Sequence, residues 1–292
     1  MVQFIITAVK YQSHAGQAEV MMTRIATIAG SDASGGAGLE ADLKTFEEYG
    51  LYGMAAVTLI ATMDPQNNWA HSVFPIDEKA LRAQMETIFR GVGVAAAKSG
   101  MLGSHYAVEL TMEYISAYEI SNYVLDPVMV CKGNDEALNP ELNAAIAEKL
   151  LPLAKIATPN LFEAGQLSGI KEINCLEQMK KAAKIIAGKG ADNVLIKGGP
   201  KLPDTQNAVD LFYDGKEFSI IEEPMVKTNW THGAGCTTAA AIASGLARGL
   251  DAFDAVVLAK KFITKSLEAG FALNQWVGPG NPSAWRKYTL FE

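Results

Sequence analysis

The sequence predicts an α/β fold: a mostly parallel central sheet with helices on both faces and one small hairpin. Two observations predict it. From Arg24 onward, short β-rich runs alternate with amphipathic stretches of helical period, and such alternation builds parallel strands joined by crossover helices. The chemically unusual residues then fall where the β-rich runs end: Gly30-Ser31-Asp32, Thr62-Met63-Asp64, Ser99-Gly100-Met101, Asp126-Pro127, Asn160 and Lys197-Gly198-Gly199. Right-handed crossovers bring all such ends to one edge of the sheet, where open α/β sheets bind ligands. One site, assembled from many loops, is the economical reading.

Each element has its own signal. "RIATIAG" is a buried strand ending in Gly30. "GLEADLKTFEEYG" follows as a helix, with Leu39, Leu43 and Phe46 at helical spacing and Gly50 just past its end. "MAAVTLIAT" is a strand, "EKALRAQMETIFRG" a helix, and "GVAAAKSGML" a strand running into a loop. "AVELTMEYISAYEI" is a helix, "NYVLDPVMV" a strand, "PELNAAIAEKLLPLA" a helix, and "KIATPN" a strand. "CLEQMKKAAKIIAGKG" is a helix and "NVLIKGG" a strand. "VDLFYDGKEFSII" is a hairpin turning on Asp214-Gly215. Two helices close the chain, one beginning near Cys236 and the other near Asp254.

Composition narrows the function classes. With 292 residues, 49% hydrophobic and 20% charged, the chain suits a globular protein with a large core. A net charge of -7 and the lack of any Lys/Arg run argue against a nucleic-acid surface. The 3 cysteines, Cys131, Cys175 and Cys236, form no C-x-x-C pair, which argues against zinc and for a reducing, cytoplasmic setting. "FIITAV" near the N-terminus is too short to span a bilayer, and no membrane association is expected. Residues 1–22 are expected to be an extension outside the core, and 23–292 a single domain.

"THGAGCT" (Thr231–Thr237) carries the chemistry. The "TTAAAIASGLARG" after it has almost no long polar side chains, so the helix is expected to be buried. A buried helix start leaves N–H groups in need of acceptors, and the amides of Ala234, Gly235 and Cys236, with Gly233 before them, make an anion hole reinforced by the dipole. The competing reading is close packing that merely demands small residues. Cys236 likewise reads two ways, as a small apolar filler or as a thiol whose pKa falls at a helix N-terminus. "SGGAG" (Ser34–Gly38) brings backbone near a ligand or makes a plain tight turn. Neither a Walker loop nor a Rossmann fingerprint occurs.

"THGAGCT" resembles the anion-hole motif of the ribokinase superfamily, in the version with cysteine where sugar kinases have aspartate. That version belongs to the hydroxymethylpyrimidine (phosphate) kinases and the vitamin B6 kinases related to them. "TIAGSDASGGAGLEADLKTF", "KSGML", "DPVMVCKG", "TPNLFEAGQLSG", "KGG" and "NQWVGP" all resemble that family, in the expected order, from Arg24 to the C-terminus. Two details favour the B6 branch. Cys131 in "VMVCKGND" falls in the segment that serves as a mobile lid and, with Cys236, resembles the dual-cysteine kinases. Met63 in "ATMDPQNNW" stands where the pyrimidine kinases commonly have glutamine.

The resemblance implies a ribokinase-like fold and ATP-dependent phosphorylation of the 5′-hydroxymethyl group of pyridoxal, pyridoxine and pyridoxamine, with Mg2+ and family precedent for a homodimer. The alternatives are a hydroxymethylpyrimidine or hydroxymethylpyrimidine phosphate kinase and, more remotely, a non-catalytic B6-binding protein. It implies that Cys236 orients or deprotonates the hydroxyl and that Asp42 receives polar groups of the substrate ring. Gly30, Ala37, Met63, Met101 and Val128 match pocket positions, with His71 reaching the pocket. Asn160 and Glu163 match the motif that holds magnesium through waters, Asp126 assists there, and Lys197 with Gly198 contacts the ATP phosphates. The plainer readings are a helix-start carboxylate for Asp42, an exposed helix acid for Glu163, an Asp-Pro turn for Asp126, a solvated strand-end lysine for Lys197, core packing for the apolar positions, a structural His71 and a loop thiol at Cys131.

Overall fold

The computed structural model describes residues 10–12, 18–20, 22–129, 140–200, 202 and 206–286. Lys10–Gln12 (β1) and Ala18–Val20 (β2) pair antiparallel in a two-stranded sheet of their own. Nine strands follow: β3 (Arg24–Asp32), β4 (Tyr52–Asp64), β5 (Ala70–Pro75), β6 (Ala96–Ser99), β7 (Tyr123–Leu125), β8 (Ile156–Ala157), β9 (Val194–Gly199), β10 (Asn207–Tyr213) and β11 (Phe218–Pro224). The helices are α1 (Gly38–Glu48), α2 (Glu78–Met85), α3 (His105–Ala117), α4 (Pro140–Lys149), α5 (Leu161–Ser168), α6 (Leu176–Ala187), α7 (Ala234–Ala247) and α8 (Ala252–Glu268).

The main sheet runs β11-β10-β9-β8-β7-β6-β3-β4-β5. Its six inner strands are parallel, and antiparallel strands close both edges. Side chains alternate between the two faces, as the pleat requires. Ile25, Val124 and Leu195 join one core with α1, α7 and α8. Their neighbours Ala26, Tyr123, Leu125, Val194 and Ile196 join the other, with α2, α3, α4 and α6. The chain leaves β3 for β4 on one side and later returns to β6 on the other. The crevice of such a sheet lies at that reversal, outside the carboxyl ends of β3 and β6.

The buried helix expected after "THGAGC" is α7, where every residue from Thr237 to Leu246 is buried. Small side chains let it lie close to its neighbours; a Cβ on Gly245 would come within 2.9 Å of that of Ala255 in α8. Gly50 takes a positive φ of 67° just past α1, and Asp214 accepts the Lys216 and Glu217 amides in the turn between β10 and β11.

Three elements differ from expectation. The strand expected to end at Thr62 continues to Asp64 and turns through Asn68 and Trp69, at φ 49° and 63°, into β5. Most of β5 is exposed on both faces, so it carries no alternating apolar pattern to read. The short α5 was absent from the expected elements because its eight residues hold little more than two turns of period. The helix expected over 78–91 changes after Met85 into a π-helical turn, Glu86–Val92.

Candidate active site

The starts of α1 and α7 face one another at the crevice. Neither has a capping side chain: Ala37 precedes α1 and Gly233 precedes α7. Gly233 sits at φ 76°, and a Cβ there would run into the Gly36 carbonyl oxygen. Such a position requires glycine twice over, for its dihedral and for its space. The first amides of α7 therefore lack intrahelical acceptors, and the dipole adds positive potential beside them. Lys197, at the end of β9, brings its ammonium to 3.4 Å from where a Gly235 Cβ would stand.

Behind these helix starts lies a row of buried charges. Lys98 on β6 and Asp42 on α1 are both fully buried and paired at 2.9 Å, and Thr27 Oγ1 donates to the same carboxylate at 2.6 Å. Asp126, past the end of β7, accepts from Lys197 at 2.9 Å and from Thr158 Oγ1 at 3.3 Å. The strand-end lysine and the Asp-Pro aspartate are thus one ion pair. Glu163 is buried rather than exposed. It forms a reciprocal capping box with Asn160: Asn160 Oδ1 accepts the Glu163 amide at 2.9 Å, and Glu163 Oε2 accepts the Asn160 amide at 2.8 Å. Burial raises the Glu163 carboxyl to about 7; Lys197 opposes the rise and Asp126 adds to it.

Cys236 and Asp42 have surroundings that the sequence does not show. One of the two readings of Cys236 gave it a depressed pKa at the helix start. Burial instead pushes its thiol up to about 11, with Lys98 and the Gly38 amide opposing and Asp42 and Asp126 reinforcing. Desolvation and two carboxylates outweigh the favourable charge and dipole. Asp42, matched to a position that receives polar groups of the substrate ring, is fully buried with both oxygens engaged by Lys98 and Thr27. Of the other positions, Gly30 packs against Leu59, which lies 2.6 Å from a would-be Cβ. Ala37 donates its amide to Asp32. Met63 pairs with His71 across the β4–β5 hairpin. The Met101 carbonyl accepts from Thr58, and Val128 is half-buried two residues beyond Asp126. A Cβ at Gly198 would strike the Val209 carbonyl. Cys131 lies outside the described residues.

The sequence reading missed three partnerships: Lys98 with Asp42, Asp32 with His232 at 2.6 Å, and Lys260 with Asp210 at 2.7 Å. In the last, Asp210 also accepts the Gly198 amide at 3.0 Å, tying the "KGG" strand end to α8. Asp32 and His232 both stood inside quoted motifs, but nothing in either motif named the other.

The same cleft geometry can be set against known proteins. The profile of the phosphomethylpyrimidine kinase family matches residues 32–281. The chain belongs to that family. This kinase is 51% identical to the pyridoxine kinase of Bacillus subtilis over 265 residues, 91% of this chain and 97% of that one. Its fold matches the Bacillus subtilis pyridoxal kinase solved with ADP at a TM-score of 0.88, with 50% identity, covering 90% of this chain and 98% of that chain. A Staphylococcus aureus pyridoxal kinase solved with AMP-PCP and pyridoxal matches at 0.85 and 44% identity, covering 90% and 94%. A hydroxymethylpyrimidine/phosphomethylpyrimidine kinase of Bacillus subtilis is more distant, at 36% identity over 90% of this chain and 96% of its own. The kinase thus has the ribokinase-like architecture, with nucleotide-bound structures among its relatives.

Proposed function

We propose that the protein is an ATP-dependent pyridoxal kinase that phosphorylates the 5′-hydroxymethyl group of pyridoxal, pyridoxine and pyridoxamine. The observation that carries this reading is the start of α7, which has no capping side chain and brings the Gly235 and Cys236 amides and the Cys236 thiol together beside the Lys197 ammonium, the Ala234 amide being taken by the Thr231 carbonyl at 3.2 Å. Phosphoryl transfer asks a protein chiefly for positioning and charge stabilisation. The Gly233–Cys236 backbone stabilises the transferring group as oxyanion-hole donors do. Lys197, Gly198 and Asn160 face the ATP phosphates. Cys236 meets the incoming hydroxyl; its raised pKa favours orienting the alcohol over standing as a thiolate. Gly30, Ala37, Met63, His71, Met101 and Val128 enclose the vitamer, and a catalytic role is assigned to Cys131, which lies outside the described residues.

The residues present fit a magnesium ion. Asp126 and Glu163 are two buried carboxylates that share the influence of one lysine, and burial already holds Glu163 near neutrality. Asp126 and Glu163 would hold a divalent cation that favours their charged forms, and Mg2+ would supply charge neutralisation to the triphosphate. We infer a cytoplasmic homodimer, with residues 1–22 outside the catalytic domain. Among the described residues no helix is long and apolar enough to cross a membrane.

An ADP-release assay across pyridoxal, pyridoxine, pyridoxamine and hydroxymethylpyrimidine tests the reading. The three vitamers are expected to exceed the pyrimidine in kcat/KM. A preference for the pyrimidine moves the chain to the alternative activity, and the absence of any ADP release removes the kinase assignment.

A further inference from the structure

Asp32 and His232 are 200 residues apart in sequence, yet Asp32 Oδ2 stands 2.6 Å from His232 Nε2. The pair is almost wholly buried, at 6% and 7% side-chain exposure. Asp32 closes its own loop independently: Oδ1 accepts the Ser34 amide and Oδ2 the Ala37 amide, each at 2.8 Å. Those two bonds shape the turn into α1 without His232. The bond to His232 adds a link to the residue directly before Gly233, the first residue of the α7 cradle. Around it the packing is tight. A Cβ on Gly36 would come within 2.6 Å of the imidazole Cδ2, and one on Gly233 would strike the Gly36 carbonyl. The His232 amide also donates to the Gly278 carbonyl at 3.1 Å, so the main chain that carries the imidazole is held as well.

We propose that the Asp32–His232 hydrogen bond is the positioning element that fixes the amide cradle of α7 at a set spacing from the loop opening α1, where the acceptor alcohol lies. The inference rests on the kinase reading above. Neither residue touches the substrate in this role. They hold the phosphoryl site and the alcohol site in register, and a displacement of about 1 Å at such a junction costs on the order of 10²-fold in rate. A charged carboxylate accepting a buried imidazole N–H is among the stronger hydrogen bonds available for the task.

The test compares two amides of different reach. His232→Gln can place its N–H donor where Nε2 stands, whereas His232→Asn places its amide near Nδ1 and falls short of Asp32. For pyridoxine phosphorylation, His232→Gln is expected to keep kcat within threefold of wild type. His232→Asn is expected to lose about 10- to 100-fold, with KM for pyridoxine and MgATP moving less than threefold in either variant. Equal kcat in the two variants, or a loss confined to KM, overturns the proposal. Should His232→Asn fail to fold, His232→Leu, which leaves the Ser34 and Ala37 bonds of Asp32 in place, carries the test: at least a tenfold loss of kcat with KM unchanged is expected, and a full kcat overturns it. A wild-type protein that releases no ADP with any vitamer strikes the kinase reading, an outcome separate from these ratios.

Discussion

At the Cys236 sulfur, opposing influences meet. Lys98 and the Gly38 amide favour the thiolate, while burial and the carboxylates of Asp42 and Asp126 favour the thiol, and the thiol wins with a pKa near 11. Only the thiolate alkylates. The rate of Cys236 modification by iodoacetamide, followed by peptide mass spectrometry, is therefore expected to climb about tenfold per pH unit from 7 to 9 without levelling. A plateau near pH 8 would show a depressed thiol and restore the helix-start argument. In the same protein, Cys236→Ala should lower kcat by about 10²-fold, the cost of a misplaced reacting group, while vitamer binding by equilibrium titration survives. A kcat within a fewfold of wild type would return Cys236 to a packing role.

On the scale of single elements, α7 depends on the residue before it. Gly233 holds a left-handed φ of 76° against the Gly36 carbonyl. Gly233→Ala must adopt a disfavoured dihedral and also push α1 and α7 apart. A stability loss of roughly 1–3 kcal/mol and a kcat loss of at least ~10-fold are expected, measured by thermal unfolding and steady-state kinetics. Unchanged kinetics would mean that the spacing between the helix starts is not critical. Elements like α7 were legible because their signal is local: a run of small residues after a Gly-rich turn admits few structures. The same holds for α1 and for the hairpin on Asp214-Gly215. What escaped was relational. Lys98 reads as a lone polar residue in "AAAKSGML" until the fold supplies Asp42 from another element. Desolvation, which sets the Cys236 thiol against the helix-start reading, is likewise a property of everything packed around an atom. Edge strand β5 escaped for the opposite reason, since it packs too little to leave a pattern.

For the whole molecule, the two sheet edges differ in character. On the β4–β5 side, Ile60 and Phe74 stand directly opposite each other, 40% and 56% exposed. Their neighbour Val73 is 37% exposed. Phe74→Asp should shift a homodimer toward monomer in analytical ultracentrifugation while each chain stays folded, because a charge replaces the largest apolar contact on that surface. An unchanged sedimentation coefficient would place the contact elsewhere. The opposite edge, β11, ends in Glu222-Glu223-Pro224, and acidic side chains with a missing amide donor resist strand addition there. One margin invites a partner and the other discourages one. In a homodimer joined through the apolar margin about a two-fold axis, both copies would use it up, and the acidic margin would disfavour a third. Growth would then halt at a pair, and an open-edged sheet would be carried without seeding fibres.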